Sequence, residues 1–295
     1  MNYVLMGSLG NINTPLVEKL IKAGHTVTVI SSNPERSAAI SAAGAKPVIA
    51  HIEDRDSLAT AFKGADAVYT MIPPKWDAAD WKGHIHQMGK NIAYAVTKAG
   101  VRKIVNLSSV GAHMPAGCGP VTGLHFAEEE LNRLDGVDIR HLRPGYFYNN
   151  FFAAIGMIKH AGFYGNNYGA DNPIVMAYPA DIAVVAAEEL LGLAFTGKSV
   201  RYIVSDVLTS REVTAILGAA IGKPDLSYVE FSDEDAYKGM LQAGLSDQVA
   251  GGYAEMGHAI RTGEMFALQR KDNTPRQKTK FTEFAKAFAA AYAQG

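Results

Sequence analysis

Tyr3-Val4-Leu5-Met6-Gly7-Ser8-Leu9-Gly10-Asn11-Ile12-Asn13 runs from a short apolar segment through a glycine-punctuated turn to the polar start of a helix. The apolar run Tyr3–Met6 reads as a buried parallel strand. Between Asn11 and Ala23, the apolar residues Ile12, Leu16, Leu20 and Ile21 recur at helical spacing, and Gly24 is placed to stop that helix. The β-branched, alternating run Thr26–Ile30 then reads as a second strand. Strand, glycine turn, helix and strand together occupy about 30 residues, the length of one right-handed crossover.

The alternation continues. Pro34 fits the first turn of a helix running towards Ala43, followed by a strand at Lys46–Ala50, a short helix at Ser57–Phe62 and a strand at Ala67–Met71. Trp81–Ala99 reads as a long helix closed by Gly100, Lys103–Leu107 as a strand, Thr122–Leu134 as a helix and Val137–Leu142 as a strand. Such alternation predicts an α/β protein with a doubly wound parallel sheet, the Rossmann arrangement. After Pro144 the texture changes: residues 145–172 are rich in Tyr, Phe, Asn and Gly. Helical patterns resume at Pro179–Leu193 and Thr209–Ile221, with a returning strand near 200–204 between them. The expected organisation is therefore a nucleotide-binding domain over 1–148 that includes the returning strand. Residues 149–295 form a smaller, mostly helical substrate-side region interleaved with that core. Near the end, Phe281, Phe284, Phe288 and Tyr292 fall three or four apart, a stripe expected to pack the last helix onto the body.

Composition narrows the function classes. The 295 residues suffice for a large core, and 48% hydrophobic with 19% charged residues is an ordinary globular balance. With 28 basic and 29 acidic side chains there is no electrostatic footprint for nucleic acid or an anionic membrane surface. The lone Cys118 excludes an internal disulfide framework and fits a reducing compartment. The first residues lack a basic n-region, so a cytoplasmic protein is expected, as a monomer or homodimer.

Glycine at the end of a strand permits a sharp turn, and a second glycine three residues on lets backbone approach a pyrophosphate at the positive end of a helix. Gly7 and Gly10 fit those roles, while Asn13 stands where many such turns carry a third glycine. A site selective for NAD places a carboxylate at the end of the second strand. Here that segment reads Ile30-Ser31-Ser32-Asn33-Pro34-Glu35-Arg36, without a carboxylate at the strand end. Ser31, Ser32, Asn33 and Arg36 instead suit a 2′-phosphate through charge-assisted bonds, favouring NADP(H) over NAD(H). The plainer alternative is a polar turn in which Asn33 caps the next helix and Arg36 is merely solvated.

Five segments in order give a family resemblance. They are Gly7–Ile12, Asn33-Pro34-Glu35, Ser57–Val68 with its ending Gly64-Ala65-Asp66-Ala67-Val68, Leu107-Ser108-Ser109-Val110-Gly111-Ala112, and Leu142-Arg143-Pro144-Gly145-Tyr146-Phe147-Tyr148-Asn149-Asn150-Phe151. Together they resemble the NmrA-like branch of the atypical short-chain dehydrogenase/reductases. The resemblance implies an NADP-binding Rossmann core with cofactor contacts from Gly7, Ser8, Leu9, Gly10, Asn11, Ile12, Ser31, Ser32, Asn33 and Arg36. It also implies that Met71, Ile72 and Pro73 line the ribose, with Ser108, Pro144 and Tyr146 near the nicotinamide. Three departures qualify it. Ser32 stands where an arginine is frequent, and His51 where a carboxylate is common. Active short-chain reductases carry Tyr-x-x-x-Lys on one helix face, whereas this chain has His125 and Glu129 there.

A histidine and a glutamate four apart share a helix face, so Glu129 could orient His125 as an acid. The competing expectation treats Glu128-Glu129-Glu130 as a solvated charge run. His84 and His86, two apart on a helix, face different ways, and no metal site is expected. Tyr146–Phe152, with Tyr164 and Tyr168, suits either an apolar pocket for flat ligands such as quinones or plain core packing. Two functions remain open at this stage. One is an NADPH-dependent oxidoreductase delivering hydride to a quinone or similar small acceptor, with His125 and Tyr146 placing the substrate. The other is a non-catalytic redox sensor that reports the cofactor ratio through a regulatory protein partner.

Overall fold

The computed structural model describes residues 1–294. Along the first half run β1 (Asn2–Leu5), α1 (Asn13–Lys22), β2 (Thr26–Ser31), α2 (Ser37–Ala42), β3 (Lys46–Ile49), α3 (Arg55–Phe62), β4 (Ala67–Thr70), α4 (Trp81–Ala99), β5 (Lys103–Leu107), α5 (Pro120–Asn132) and β6 (Asp138–Pro144). The second half carries β7 (Tyr146–Phe147), α6 (Ala154–Ala161), β8 (Phe163–Asn166), β9 (Ile174–Ala177), α7 (Pro179–Gly192), β10 (Lys198–Ile203), β11 (Asp206–Leu208), α8 (Ser210–Ala220), β12 (Ser227–Glu230), α9 (Asp233–Gln242), α10 (Asp247–Thr262) and α11 (Phe281–Gln294). Two compact units share these elements. The first comprises Met1–Ser109, Gly123–Arg143 and Ile182–Arg201; the second comprises Val110–Thr122, Pro144–Asp181 and the chain from Tyr202 onward. No helix among the described residues is long and apolar enough to cross a membrane.

Seven strands form the main sheet in the order β10-β6-β5-β4-β1-β2-β3, flanked by helices. The registers of β1 with β2 and β4, of β2 with β3, and of β5 with β4 and β6 are all parallel. The doubly wound parallel sheet expected from the alternation is thus present, and the returning strand β10 occupies its edge beside β6. Connections leave β1 in one direction through β2 and resume on its other side at β4, the topological switch where ligands bind in such sheets. On one face Leu58 and Phe62 of α3 and Ile92, Ala95 and Val96 of α4 close over Val4, Ile30, Val68, Ile104 and Ile139. In β1 and β4, buried on both faces, consecutive positions are apolar (Tyr3–Leu5 and Ala67–Tyr69), whereas β2 and β6 alternate apolar with polar residues.

Helix α4 begins at Asp80, whose carboxylate accepts from the Gly83 N–H at 2.9 Å, and ends at Gly100 in the left-handed region (φ 71°). It packs on α5 through two glycines. A Cβ at Gly89 would lie 2.6 Å from Ala127 Cα, and one at Gly123 would lie 2.7 Å from Ile85 Cβ. The spacing of α5 from α4 is therefore set by missing side chains.

A row of buried polar groups fixes α5 from its other side. Thr70, Asn106 and His141 are in register across β4, β5 and β6. Thr70 Oγ1 donates to Asn106 Oδ1 at 2.8 Å, and Asn106 Nδ2 and His141 Nδ1 are 3.0 Å apart. His141 Nε2 lies 3.0 Å from Asn132 Oδ1 on α5. With Asn106 donating and Asn132 accepting, the imidazole is neutral and carries its proton on Nε2; burial lowers its pKa in the same sense. Beside it, Arg143 donates to Glu128 of α5 through Nε (3.0 Å) and Nη2 (2.5 Å), with only 10% and 5% of the two side chains exposed. The acidic run on α5 is consequently not a solvated face. Glu128 is buried, Glu130 accepts from His86 of α4 at 2.8 Å, and Glu129 alone is exposed.

In the second unit, β9 lies between β7 (parallel) and β11 (antiparallel), and β8 pairs in parallel with β12. These short strands lie in or after the stretch whose composition carries no clean period. The aromatic stripe of α11 packs as expected: Phe281, Phe284 and Phe288 are buried against Tyr148, Phe151 and Phe152. Tyr292, at the end of the stripe, is instead partly exposed beneath the ammonium groups of Lys159 and Lys223.

Two stability measurements test this framework. Gly89→Ala should lower stability by about 1–3 kcal/mol through overpacking, although alanine is the better helix former by about 1 kcal/mol. An unchanged or raised melting temperature would show that α4 and α5 are not spaced by that contact. The second measurement concerns Glu128. Burial pushes its carboxyl up, but the Arg143 guanidinium more than reverses this and holds it below its ordinary value of 4.5. A carboxyl depressed in the folded state binds protons more weakly there than in the unfolded chain. Its stabilisation is complete above pH 4.5 and is lost as pH falls through the folded value. Glu128→Gln should cost about 3–5 kcal/mol near neutral pH by stranding Arg143, and should flatten the decline of stability with acid. Parallel acid profiles for the wild type and the variant would contradict this assignment.

Candidate nucleotide site

The chain reverses at Gly7, which leaves β1 with φ +82°. Any side chain there would be strained, and its Cβ would lie 3.0 Å from Met71 Sδ in the segment after β4. Asn13, buried in the first turn of α1, clamps the reversal: its Nδ2 donates to the Met6 carbonyl at 2.9 Å and also to the Gly7 carbonyl. The residue standing in for a third glycine is therefore a hydrogen-bonding pin. Ser8 Oγ is buried and has no partner among the described residues, while a Cβ at Gly10 would meet open space. An orphaned hydroxyl donor in a glycine turn at a helix N-terminus suits a phosphate oxygen. Leu9, Asn11 and Ile12 complete the turn, and the Thr14 N–H bonds back to the Gly10 carbonyl at 3.1 Å to start α1.

Above the turn lies a cavity of about 470 Å³ within the first unit. Of the residues expected at the site, Gly7, Ser8, Ser32, Met71 and Pro73 line it. Sequence reasoning did not select Lys75, Asp77 or Glu53, which also line it, and it had assigned no role there to His84. His51, standing where a carboxylate is common, lies in the same wall. Lys75 Nζ is 3.5 Å from Glu53 Oε1. The Glu53 side of the cavity is anchored from α4, where Asn91 Nδ2 donates to the carbonyls of Ile52 (2.9 Å) and Glu53 (3.2 Å). The signal for Lys75 was within reach: the segment read as a ribose wall stops at Pro73, two residues short of it.

The second strand ends differently from the simplest expectation. Ser31 is buried, its hydroxyl donating to the Asn33 carbonyl and accepting from the Asn33 N–H, each at 3.1 Å. Asn33 Oδ1 accepts from the Glu35 N–H at 2.9 Å and so caps the short 3₁₀ turn Pro34–Arg36. Ser31 and Asn33 thus shape the turn, Ser32 faces the cavity, and Arg36 is exposed on the turn beyond. Ile72 is half-buried in the wall segment.

Elsewhere in the first unit, Ser108 is buried just beyond β5, and its N–H donates to the Leu142 carbonyl at 2.8 Å. His125 sits on α5 with its Nε2 3.7 Å from Glu129 Oε1, beyond hydrogen-bond length, and Glu129 is half exposed. The ring of His125 meets Phe126 edge-on at 5.1 Å. A tight dyad is absent from this geometry.

Pro144 and Tyr146 belong to the second unit. Pro144 is buried, and its carbonyl accepts from the Val110 N–H at 3.0 Å. The aromatic stretch around Tyr146 divides between the two readings. Tyr148 and Phe151 are fully enclosed core, whereas Tyr146 remains partly exposed with its hydroxyl 3.2 Å from that of Tyr168.

Comparison with known proteins fits this geometry. A (4-alkanoyl-5-oxo-2,5-dihydrofuran-3-yl)methyl phosphate reductase of Streptomyces griseus subsp. griseus is 27% identical over 292 residues, covering 98% of this chain and 99% of that one. An NAD(P)H azoreductase of Xenophilus azovorans is 25% identical, covering 98% of each. The solved NADPH complex of the Escherichia coli quinone oxidoreductase QOR2 has the same fold, with a TM-score of 0.79 at 22% identity over 99% of both chains. The family described as NAD(P)H-binding matches residues 7–159, from the glycine turn to α6 and over half of the chain. This protein belongs to that NAD(P)H-binding family.

Proposed function

We propose that the protein is an NADPH-dependent reductase that passes hydride to a quinone or a similarly flat, electrophilic small molecule. The observation that carries this reading is the clamped turn at Gly7 with the orphaned Ser8 hydroxyl, opening on a cavity at the switch point of the sheet. Gly7, Ser8, Leu9, Gly10, Asn11 and Ile12 hold the pyrophosphate, with backbone N–H groups of the turn as donors. Ser32 and Arg36 receive the 2′-phosphate, with Ser31 and Asn33 shaping their turn. Met71, Ile72 and Pro73 bound the ribose, and Ser108 borders the nicotinamide. Bound NADPH supplies the hydride.

An acceptor that is already electrophilic, with solvent to protonate it, does not require the Tyr–Lys pair that this chain lacks. Tyr146 positions the acceptor. The relatives named as an azoreductase and a reductase of an oxo-dihydrofuran support reduction of conjugated acceptors. A second reading draws on the 3.7 Å separation and exposure of His125 and Glu129: binding without turnover, in a redox sensor that acts through a protein partner.

Purified protein supplied with NADPH and a panel of quinones, followed by nicotinamide absorbance, decides between them. The enzyme reading expects saturable oxidation; tight NADPH binding with no turnover of any acceptor would leave the sensor. For the cofactor, Arg36→Ala should weaken NADPH by roughly ten-fold or more while sparing NADH, the loss of one charge-assisted bond. Selective weakening by Lys75→Ala instead would move the phosphate to the cavity-lining ammonium.

A further inference from the structure

The second unit contains a set of phenols linked through one amide. Tyr146 lies in β7, in register with Met176 of β9. The preceding Gly145 packs so closely that a Cβ would sit 2.5 Å from the Val175 carbonyl oxygen, so the backbone at Tyr146 has little room to shift. Tyr168 follows β8, and its N–H donates to Asn166 Oδ1 at 2.8 Å. Asn166 also donates to the Tyr164 hydroxyl and accepts from the Tyr228 hydroxyl, both at 2.9 Å. Both rings of the Tyr146–Tyr168 pair are therefore held from their own backbones. They meet edge to face at 5.6 Å and 70°, and Phe151 meets Tyr146 likewise at 5.4 Å and 73°. The result is an aromatic corner, partly open at Tyr146 and Tyr168.

The hydroxyls are 3.2 Å apart and either can be the donor. One hydrogen bond within the pair uses one of its two protons, and among the described residues neither oxygen has a further partner. Burial pushes both phenols above their ordinary pKa, so both protons stay in place at neutral pH. We infer that the Tyr146–Tyr168 pair is a binding site for a flat aromatic ring bearing a carbonyl or equivalent acceptor atom, to which the pair gives one hydrogen bond from whichever phenol is not donating inside it. The site rests on the reading that the second unit receives the acceptor. An atom about 3 Å from both oxygens completes a triangle with them, so either phenol can serve it. Tyr168 thereby acts as a specificity-determining residue alongside Tyr146.

Anthraquinone-2-sulfonate and anthracene-2-sulfonate share a ring system and a charge and differ in the carbonyls. Titrated calorimetrically into the protein without cofactor, the quinone should bind a few-fold to about ten-fold more tightly, the net worth of one hydrogen bond. Tyr146→Phe and Tyr168→Phe should each keep most of that preference, because one phenol with one proton remains. The double variant should lose it. Equal affinity of the two probes for the wild type, or complete loss of the preference in either single variant, would overturn the proposal. The infrared carbonyl stretch of the bound quinone gives a readout on the wild type alone, should the double variant fail to fold. It should move to lower frequency than in the ligand dissolved in an aprotic solvent, and an unmoved band overturns the site. Quinone-dependent NADPH oxidation, assayed separately, keeps the two claims distinct. Turnover without discrimination between the probes removes this site alone; discrimination without turnover removes the reductase reading alone.

Discussion

The reversal of the chain at Gly7 is the constraint around which the first unit is arranged. β1 lies inside the sheet between β2 and β4, so the chain leaving it has no lateral room and must turn over the strand end. Positive φ answers the geometry, but it leaves two carbonyls, of Met6 and Gly7, at a crowded bend beside Met71. The Asn13 amide takes both. A glycine at that place would let α1 approach β1 more closely, whereas asparagine fixes the bend by hydrogen bonds. With those carbonyls held by a side chain, the donors of the turn and the Ser8 hydroxyl are left for a ligand. The departure from the usual glycine pattern is a different solution to the same mechanical problem.

A comparable substitution of means operates on α5. Three consecutive glutamates on a helix point about 100° apart, so they cannot share one environment. Glu128 turns inward to Arg143, Glu130 sideways to His86 and Glu129 outward to water. A buried ion pair adds little net stability, because desolvating both charges offsets their attraction. It does make any other rotation of the helix expensive. His125, three residues before Glu128, shares its face, so the rotation set by Glu128 and Arg143 also sets where the imidazole points. The pair, together with the neutral His141 and its amide neighbours, fixes the rotation of α5.

How much could be read from sequence follows from the range of the interactions. The strands and helices of the first half were legible because their signals are local: apolar runs for strands buried on both faces, and Gly100 closing α4. The glycine turn was legible for the same reason, and so was the capping role of Asn33, two residues from the N–H it accepts. The Glu128–Arg143 pair and the row Thr70, Asn106 and His141 were not, since they join strands and helices far apart in the chain, and a charge run gives no hint which member turns inward. Lys75 escaped because a loop has no period to extrapolate. The three-stranded and two-stranded sheets of the second unit escaped because strands of two to four residues carry too few alternations to register.

The aromatic stretch from Tyr146 to Phe152 shows why composition alone could not separate packing from binding. Ring count and hydrophobicity are the same for both uses. What divides them is the direction imposed by backbone: the turn from β7 into the 3₁₀ segment Tyr148–Ala153 sends Tyr148 and Phe151 into the cluster built with α11. Tyr146, two residues earlier on a strand, keeps an edge outside. Once α11 fills its side with Phe281 and Phe284, the core has no further need of a phenol hydroxyl at Tyr146. That hydroxyl persists and is matched by a second from Tyr168, held by an amide that serves three tyrosines. Two phenols that satisfy each other with one proton remaining form a neutral donor that does not titrate near physiological pH. A fixed, uncharged donor beside an aromatic corner selects by the shape and polarity of a ring, without requiring charge on the ligand.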